Sequence, residues 1–459
     1  MTVLFFATIC LVLLGGLVVL AAGAMGLAPL ALGAGFALAG GIALLVQPFL
    51  GVASLAVFSQ LDAVEKMLFG FLPISYFKLV GASSALAILA NSLRLRGQIH
   101  AMLRNPIIVM ALVFFMMAVV SLAGAENKGM GVSSIVSTVS LILLLLLVTI
   151  LANTKRKVEI MVWILIGSSA VSALILLVDV TLGVQLVAQS DAATTACTAE
   201  GVARSSGGSD YNPTTAASML LVGVIVALVH AFESPIWRWR LLMMAGIGTV
   251  AIVLSFARSA ALAYFIISML LVWRYRRWKY LPLGGAAAFA AGLAVLPFIP
   301  AEYWERLSSL MSGTGDPTLG RRLTYNLIGV DLFLQHPIFG VGPSNFVHHF
   351  TNIEYRYLPG RTLLGRELHN MYLSVVVQFG LAGAFPFFAM LVLTFKQLRA
   401  VQRAPCNEAM RVNAVALGYG IGAYLVASLF LPNEYSKYTW LLPGISAALY
   451  IVNERERVL

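Results

Sequence analysis

The stretch GRELHNMYLSVVVQFGLAG, Gly365 to Gly383, places an imidazole at the mouth of an apolar run. Glu367 and Asn370 flank His369, and Gly380 and Gly383 follow inside the run. A helix N-terminus carries partial positive charge, which disfavours protonating a nearby imidazole. A neutral histidine can take a proton as a general base, and a carboxylate such as Glu367 can orient it. On an unbroken helix of about 3.6 residues per turn, Gly380 faces the same way as His369, and Gly383 lies near that face. Glycines on one face predict close approach of a neighbouring helix. The plainer alternative is an interfacial histidine beside two packing glycines.

A second set of residues suits the binding of an anion. The segment 301–369 holds Arg306, Arg321, Arg322, Arg356, Arg361 and Arg366 but no lysine, together with His336, His348 and His349. The guanidinium fork grips phosphate through two parallel hydrogen bonds and stays charged at a membrane surface. Glu302, Glu305, Asp316, Asp331, Glu354 and Glu367 balance these charges, so salt bridges inside an outer domain are the competing use. Within the segment, HPIFGVGPSNF brings Gly340, Gly342 and Pro343 together, which predicts a turn and then a helix capped by Ser344. Adjacent His348 and His349 would point about 100° apart on a helix, a poor pair for one metal ion. Arg258, in SFARSAALAY, sits between two apolar runs, where a charge is a functional candidate unless it snorkels. Arg204 opens RSSGGSDYNP, in which Asp210 or Asn212 can cap the next helix.

These residues sit among segments that must cross a bilayer. Of 459 residues, 60% are hydrophobic and 11% charged, and mean hydropathy is +0.91. That composition excludes a soluble globular chain and predicts an all-α polytopic membrane protein of about 12–14 helices. Apolar runs fall near 3–24, 29–57, 70–93, 105–125, 132–152, 158–182, 213–232, 239–256, 259–274, 280–300, 370–396, 411–432 and 438–453. Met1 to Met25 lacks a basic leader and reads as a first membrane helix. Basic loops carrying Arg94, Lys155, Arg238, Arg274 and Lys396 alternate with loops at 126–131, 183–212, 301–369 and 433–437. The positive-inside rule puts the basic set in the cytoplasm and the second set outside. It also accounts for the net charge of +11 without nucleic acid. The expected organisation is one membrane domain: helices over 1–300 with an outer loop near 183–212, a large outer loop over 301–369, and further helices over 370–459. Cys10, Cys197 and Cys406 form neither a disulfide framework nor a metal motif. Few ionisable residues, Asp179 and His230 among them, fall in or near spans, which weighs against a transporter.

His369-Asn370, nine residues, Gly380, two residues and Gly383 resemble the signature of the O-antigen ligase and polymerase superfamily of bacterial envelope glycan assembly. HPIFGVG is similar to that family's His-Pro-apolar-x-Gly-x-Gly run, and FARSA to its Ser-Arg-small helix end, with Ala257 in place of the common Ser. RSSGGSDYNP is similar to its Arg-x-x-Gly…Asn-Pro segment at a slightly different spacing. The resemblance is clearest over residues 200–396. It implies a GT-C-like glycosyltransferase in the bacterial inner membrane with its site facing the periplasm. The implied donor is an undecaprenyl-diphosphate-linked glycan, and the acceptor a glycolipid or glycan, lipid A-core for a ligase. The implied transfer needs no metal or other cofactor. His369 would activate the acceptor hydroxyl. Arg204 and Arg258 would hold the diphosphate, with Arg321 or Arg322 assisting. Ligase and polymerase share these motifs.

Overall fold

The computed structural model describes residues 46–70, 74–187, 204–209, 212–277, 317–358, 365–405 and 407–458, with the backbone alone for 317–321 and 458. The expected spans at 3–24 and 280–300, and most of 29–57, lie outside them. All regular elements among the described residues are helical. We number the α-helices in chain order: α1 (Pro48–Gln60), α2 (Asp62–Phe69), α3 (Tyr76–Ala90), α4 (Arg96–Leu103), α5 (Pro106–Ser121), α6 (Lys128–Leu151), α7 (Lys155–Leu182) and α8 (Pro213–Glu233). There follow α9 (Arg238–Leu254), α10 (Arg258–Arg274), α11 (Pro317–Gln335), α12 (Phe346–Phe350), α13 (Met371–Arg403), α14 (Glu408–Ala427) and α15 (Lys437–Val458). Among the described residues six helical segments are long and apolar enough to cross a membrane: Pro106–Gly124, Lys128–Leu151, Lys155–Leu182, Pro213–Glu233, Met371–Arg403 and Glu408–Phe430. The chain is an all-α polytopic membrane protein.

Local chemistry marks where these helices begin. The side chains of Asn105, Asn127, Thr154, Asn212, Asn370 and Asn407 each accept a hydrogen bond from a first-turn N–H that has no partner within its own helix. Pro106 and Pro213 occupy first-turn positions, where a missing N–H costs nothing. Packing then selects faces. Helix α8 is buried along most of its length between α7, α9 and α14, and α13 packs most extensively on α5. Phe114 of α5 meets Phe379 and Phe387 of α13, with ring centroids 4.9 and 5.3 Å apart.

Helix α13 is not continuous. Gly380 has φ 59° and ψ −168°, a conformation open in practice only to glycine, and it interrupts the helix about 14 Å below its start. The segment Pro337–Gly342 fills the interruption. The N–H groups of Val341 and Gly342 donate to the carbonyls of Val377 and Gln378, at 2.9 and 3.0 Å. In return, Leu381 and Ala382 donate to the carbonyls of Pro337 and Ile338, at 2.9 and 3.0 Å. From α5, Ser121 Oγ reaches the carbonyls of Phe339 (2.6 Å) and Gln378 (2.8 Å). In a membrane, irregular backbone persists only where protein satisfies it, and this exchange does so.

The break corrects two expectations. Gly380 does not continue a helical face from His369, because its own geometry ends the periodicity. Nor does it receive a neighbouring helix: a Cβ there would overlap the carbonyl oxygen of Ile338. Gly340 makes the reciprocal approach, since a Cβ there would stand 2.5 Å from the backbone of Gln378, and Gly342 abuts Ala125. Gly383 does face a helix, with Met117 of α5 within 3.8 Å of its missing Cβ. The segment from α11 to His369 has a small core of Tyr325, Ile328, Leu332, Val341, Phe346, Phe350, Tyr355 and Leu368, which is completed by Val377 of α13. That segment is therefore seated on the helix that carries the break.

Gly380→Ala should cost about 3 kcal/mol or more, since strain and a backbone clash add. Gly167→Ala, on α7 with nothing within 4 Å of the added methyl, should leave stability unchanged or slightly raised. Thermal unfolding of the two variants in detergent checks the contrast; equal midpoints would contradict the account of the break.

Candidate active site

His369 lies just before α13, between Leu368, whose side chain joins the small second core, and Asn370. Asn370 caps the helix, its Oδ1 accepting from the N–H groups of Tyr372 (3.0 Å) and Leu373 (3.2 Å). The half-buried imidazole stands beside Tyr325, ring centroids 5.6 Å apart. Its pKa is pushed down to about 4, first by burial and then by the positive charges of Arg322 and Arg366. The ring is neutral, and burial and the two arginines hold it so. Among the described residues no hydrogen bond joins Glu367 to His369, so the expected orienting carboxylate is not in contact with it. Glu367 keeps exposed surface at the rim of a neighbouring cleft, while the protein packed around it raises its carboxyl above the usual range.

The arginines fall into two groups. Arg204 Nε donates to the carbonyl of Ser255, and Nη2 to Thr214 Oγ1, both at 3.1 Å. This ties the Arg204 segment to the first turn of α8 and to the junction between α9 and α10. Arg258 opens α10 at that junction, two residues after Phe256, whose φ of 52° is strained for a side chain of its size. Arg204 and the Arg258 turn thus share one corner. Arg322, on α11, belongs with His369 instead, as does Arg366, which no motif had singled out for the site. The side chain of Arg321 and all of Asp210 lie outside the described residues. The Arg204 loop is anchored from below: Ser205 Oγ donates to Asp179 Oδ2 at 2.7 Å, and Gly207, at φ 60°, passes too close to the Ser172 carbonyl for a Cβ. Asp179 is therefore a tether.

Next to His369 opens a polar cleft of about 240 Å³, walled by Asn212 and Thr215 of α8, Ser344, Glu367, Ser374 and Gln378 of α13, and Asn433–Ser436. Gln378 organises it. Its Nε2 donates to Ser374 Oγ (2.7 Å) and to Glu434 Oε1 (2.9 Å). Its Oε1 accepts from the Ser344 N–H (2.6 Å) and the Tyr435 hydroxyl (2.8 Å). Ser374 Oγ also donates to Glu434 Oε1. Glu434 is 3% exposed, and its pKa is raised to about 7, by burial first, with the charge of Glu367 adding. The lone acid in LPNEYSK, between two apolar spans, was the sequence signal for it. Ser344 is not the expected cap. It has φ 54°, its hydroxyl meets Ser134, and α12 begins at Phe346 after Asn345.

On the other side of Asn370 an apolar groove of about 770 Å³ runs along α13, walled by Tyr372, Val376, Phe388, Leu391 and Phe395, with Asn326 and Asn370 as its polar residues. His348 and His349 lie away from both cavities, at 3.3 and 3.9 Å from the two carboxylate oxygens of Glu126. Among the described residues no group of three or more His, Cys, Asp or Glu side chains is placed to hold a metal ion.

Fold and site together define a helical integral membrane protein with a buried neutral histidine beside arginines. Residues 241–388 match the family model described as O-antigen ligase. This supports the resemblance in the motifs: that part of the chain is similar to the O-antigen ligase and polymerase superfamily. The match takes in Arg258, Arg322, His369 and Gly380, whereas Arg204 and Glu434 lie beyond it. No curated protein matches the chain significantly.

The raised pKa of Glu434 has a sign for stability. The folded state holds a proton that the unfolded chain gives up near the ordinary value of 4.5. Stability is therefore full below that value and falls as pH rises through about 7. Glu434→Gln, which cannot ionise, should unfold at a higher temperature than wild type at pH 8 and at nearly the same temperature at pH 5. The difference is on the order of 3 kcal/mol at most. Parallel unfolding curves at both pH values would contradict a protonated Glu434.

Proposed function

We propose that the protein transfers a polyprenyl-diphosphate-linked glycan to an acceptor hydroxyl at the periplasmic face of the bacterial inner membrane, as an O-antigen ligase with lipid A-core as acceptor. The observation that carries this is the pairing of cavities at His369. Asn370, on one side of His369 in the chain, lines an apolar groove suited to a polyprenyl tail, and Leu368, on the other, lines a polar cleft suited to hydroxyl groups. The family match supports glycan transfer in general.

In this mechanism a ring nitrogen of His369 takes the proton of the acceptor hydroxyl. The oxygen attacks the anomeric carbon, and the bond from that carbon to the diphosphate oxygen breaks. The electron pair leaves with the diphosphate, whose negative charge Arg204, Arg258 and Arg322 stabilise, with Arg321 assisting. Such fixed charges act strongly where water is excluded. A single displacement inverts the anomeric carbon. An imidazole with a pKa of about 4 is a weak base in the empty site, because two arginines oppose its protonation. A diphosphate bound among those arginines offsets their field and strengthens the base, so donor binding and base activation are linked.

His369→Ala should lower transfer at least about 100-fold in an assay with purified protein and a lipid-diphosphate glycan, without loss of fold. Near-normal turnover would overturn the base assignment. The pH profiles add a check. For the free enzyme, kcat/KM for the donor should hold until pH falls towards about 4, and the acidic limb of kcat should lie at higher pH. Coincident limbs would separate base activation from donor binding. In cells, deleting the gene should leave lipopolysaccharide uncapped while long lipid-linked chains accumulate. Capping by a single repeat unit would instead assign a polymerase.

A further inference from the structure

Glu434 and the cleft beside it have no part in the transfer step. Glu434 Oε1 is fully engaged, accepting from Ser374 Oγ and Gln378 Nε2, yet Oε2 is buried with no hydrogen-bond partner. Asn433 repeats the pattern: its Nδ2 donates to Ser428 Oγ at 2.7 Å, and its Oδ1 has no partner. Both residues are at most 3% exposed and both help wall the cleft. A buried polar atom without a partner costs about 1–3 kcal/mol, and here both such atoms belong to neighbouring residues that wall one cleft.

The chemistry of the wall narrows what that is. Asn212, Thr215, Ser344, Ser374 and Ser436 offer amides and hydroxyls, Tyr435 a phenol, and Glu367 and Glu434 carboxyls; among the described residues no arginine or lysine lines the cleft. Among those residues a phosphate would find acids and no cation. A hydrocarbon would strand the polar wall. About 240 Å³ equals roughly eight waters at about 30 Å³ each, room for one pyranose ring with its hydroxyls.

We propose that this cleft is a sugar subsite that holds one uncharged pyranose unit of the glycan substrates, with Glu434 Oε2 and Asn433 Oδ1 bonded to its hydroxyls. The assignment rests on the glycan-transfer reading of the neighbouring site. Gln378 holds Glu434 in place, and Ser344, held by Gln378 in turn, closes the side towards the Pro337–Gly342 segment. When protonated, the carboxyl carries its proton on Oε2, the oxygen without a partner, and can donate to a sugar oxygen; when ionised, the same oxygen can accept from a sugar hydroxyl. Leu368 and Glu367 at one wall set the bound sugar next to His369.

The test has two arms. In steady-state transfer, Glu434→Leu should raise the KM of one substrate about tenfold or more, with kcat within about threefold of wild type. Glu434→Gln, which keeps a donor and an acceptor, should recover most of the loss. A change confined to the donor KM places the donor's sugar in the cleft, and one confined to the acceptor KM places the acceptor's. Thr215→Val, on the α8 wall, tests the same cleft should Glu434→Leu fail to fold. Unchanged KM values for both substrates in folded variants would overturn the proposal. The second arm needs no turnover. Saturation-transfer NMR of nanodisc-embedded His369→Ala protein with a panel of free methyl pyranosides should give a transfer signal for at least one sugar, and Glu434→Leu on that background should abolish it. A signal that survives Glu434→Leu, or none with any sugar, refutes the subsite even if glycan transfer is demonstrated. A signal that Glu434→Leu abolishes upholds the subsite even if His369 proves not to be the base.

Discussion

The arrangement depends on the exchange of four backbone hydrogen bonds between Pro337–Gly342 and the broken helix α13. A helix interrupted in a membrane leaves donors and acceptors that hydrocarbon cannot satisfy, so it survives only if another segment brings matching groups to the same depth. Gly340 and Gly380 make that approach possible, since each meets backbone where a Cβ would stand. The joint has consequences above it. Gln378, in the turn before the break, gives its carbonyl to Gly342 and Ser121 and its side chain to Ser344, Ser374, Glu434 and Tyr435. The polar cleft and the break are thus held by the same residue.

Electrostatics divides the surroundings of His369. Arg322 and Arg366 bear on His369, and Arg204 is held at the junction that Arg258 opens. Among the described residues the neighbouring cleft carries acids without a cation. Low local dielectric sharpens the division, since burial pushes His369 towards its neutral form and Glu434 towards its protonated one. One region is prepared for negative charge and the adjacent one for neutral hydroxyls, a separation that suits a reaction in which a diphosphate leaves as a hydroxyl attacks. Two strained residues, Phe256 and Ser344, stand at the edges of these regions. Backbone strain persists where the surroundings over-determine it. Here those surroundings are the Arg204 contact with Ser255 and the Gln378 hub.

The resemblance in the motifs extended to the family match over 241–388, but the reasons first given for individual residues fared unevenly. Asn212 caps α8 as its position suggested, because an Asn-Pro pair before an apolar run acts within one turn. Ser344 looked equally suitable and does not cap, because the joint holds it in a left-handed conformation. The neutrality expected of His369 has causes that no local pattern shows, burial and two arginines, one of them on a separate helix.

By itself, the sequence determined the membrane class, the run of apolar helices through the described regions and most of their starting points. These follow from hydropathy over about twenty residues and from cap chemistry within a turn. Only the tertiary structure decided that Gly340 and Gly380 form one joint and that Glu434 faces Gln378 and Ser374. Periodicity arguments assume an unbroken helix, and a pairing between residues 56 positions apart leaves no local signal. Such contacts arise because buried polar groups must find partners wherever the packed chain supplies them.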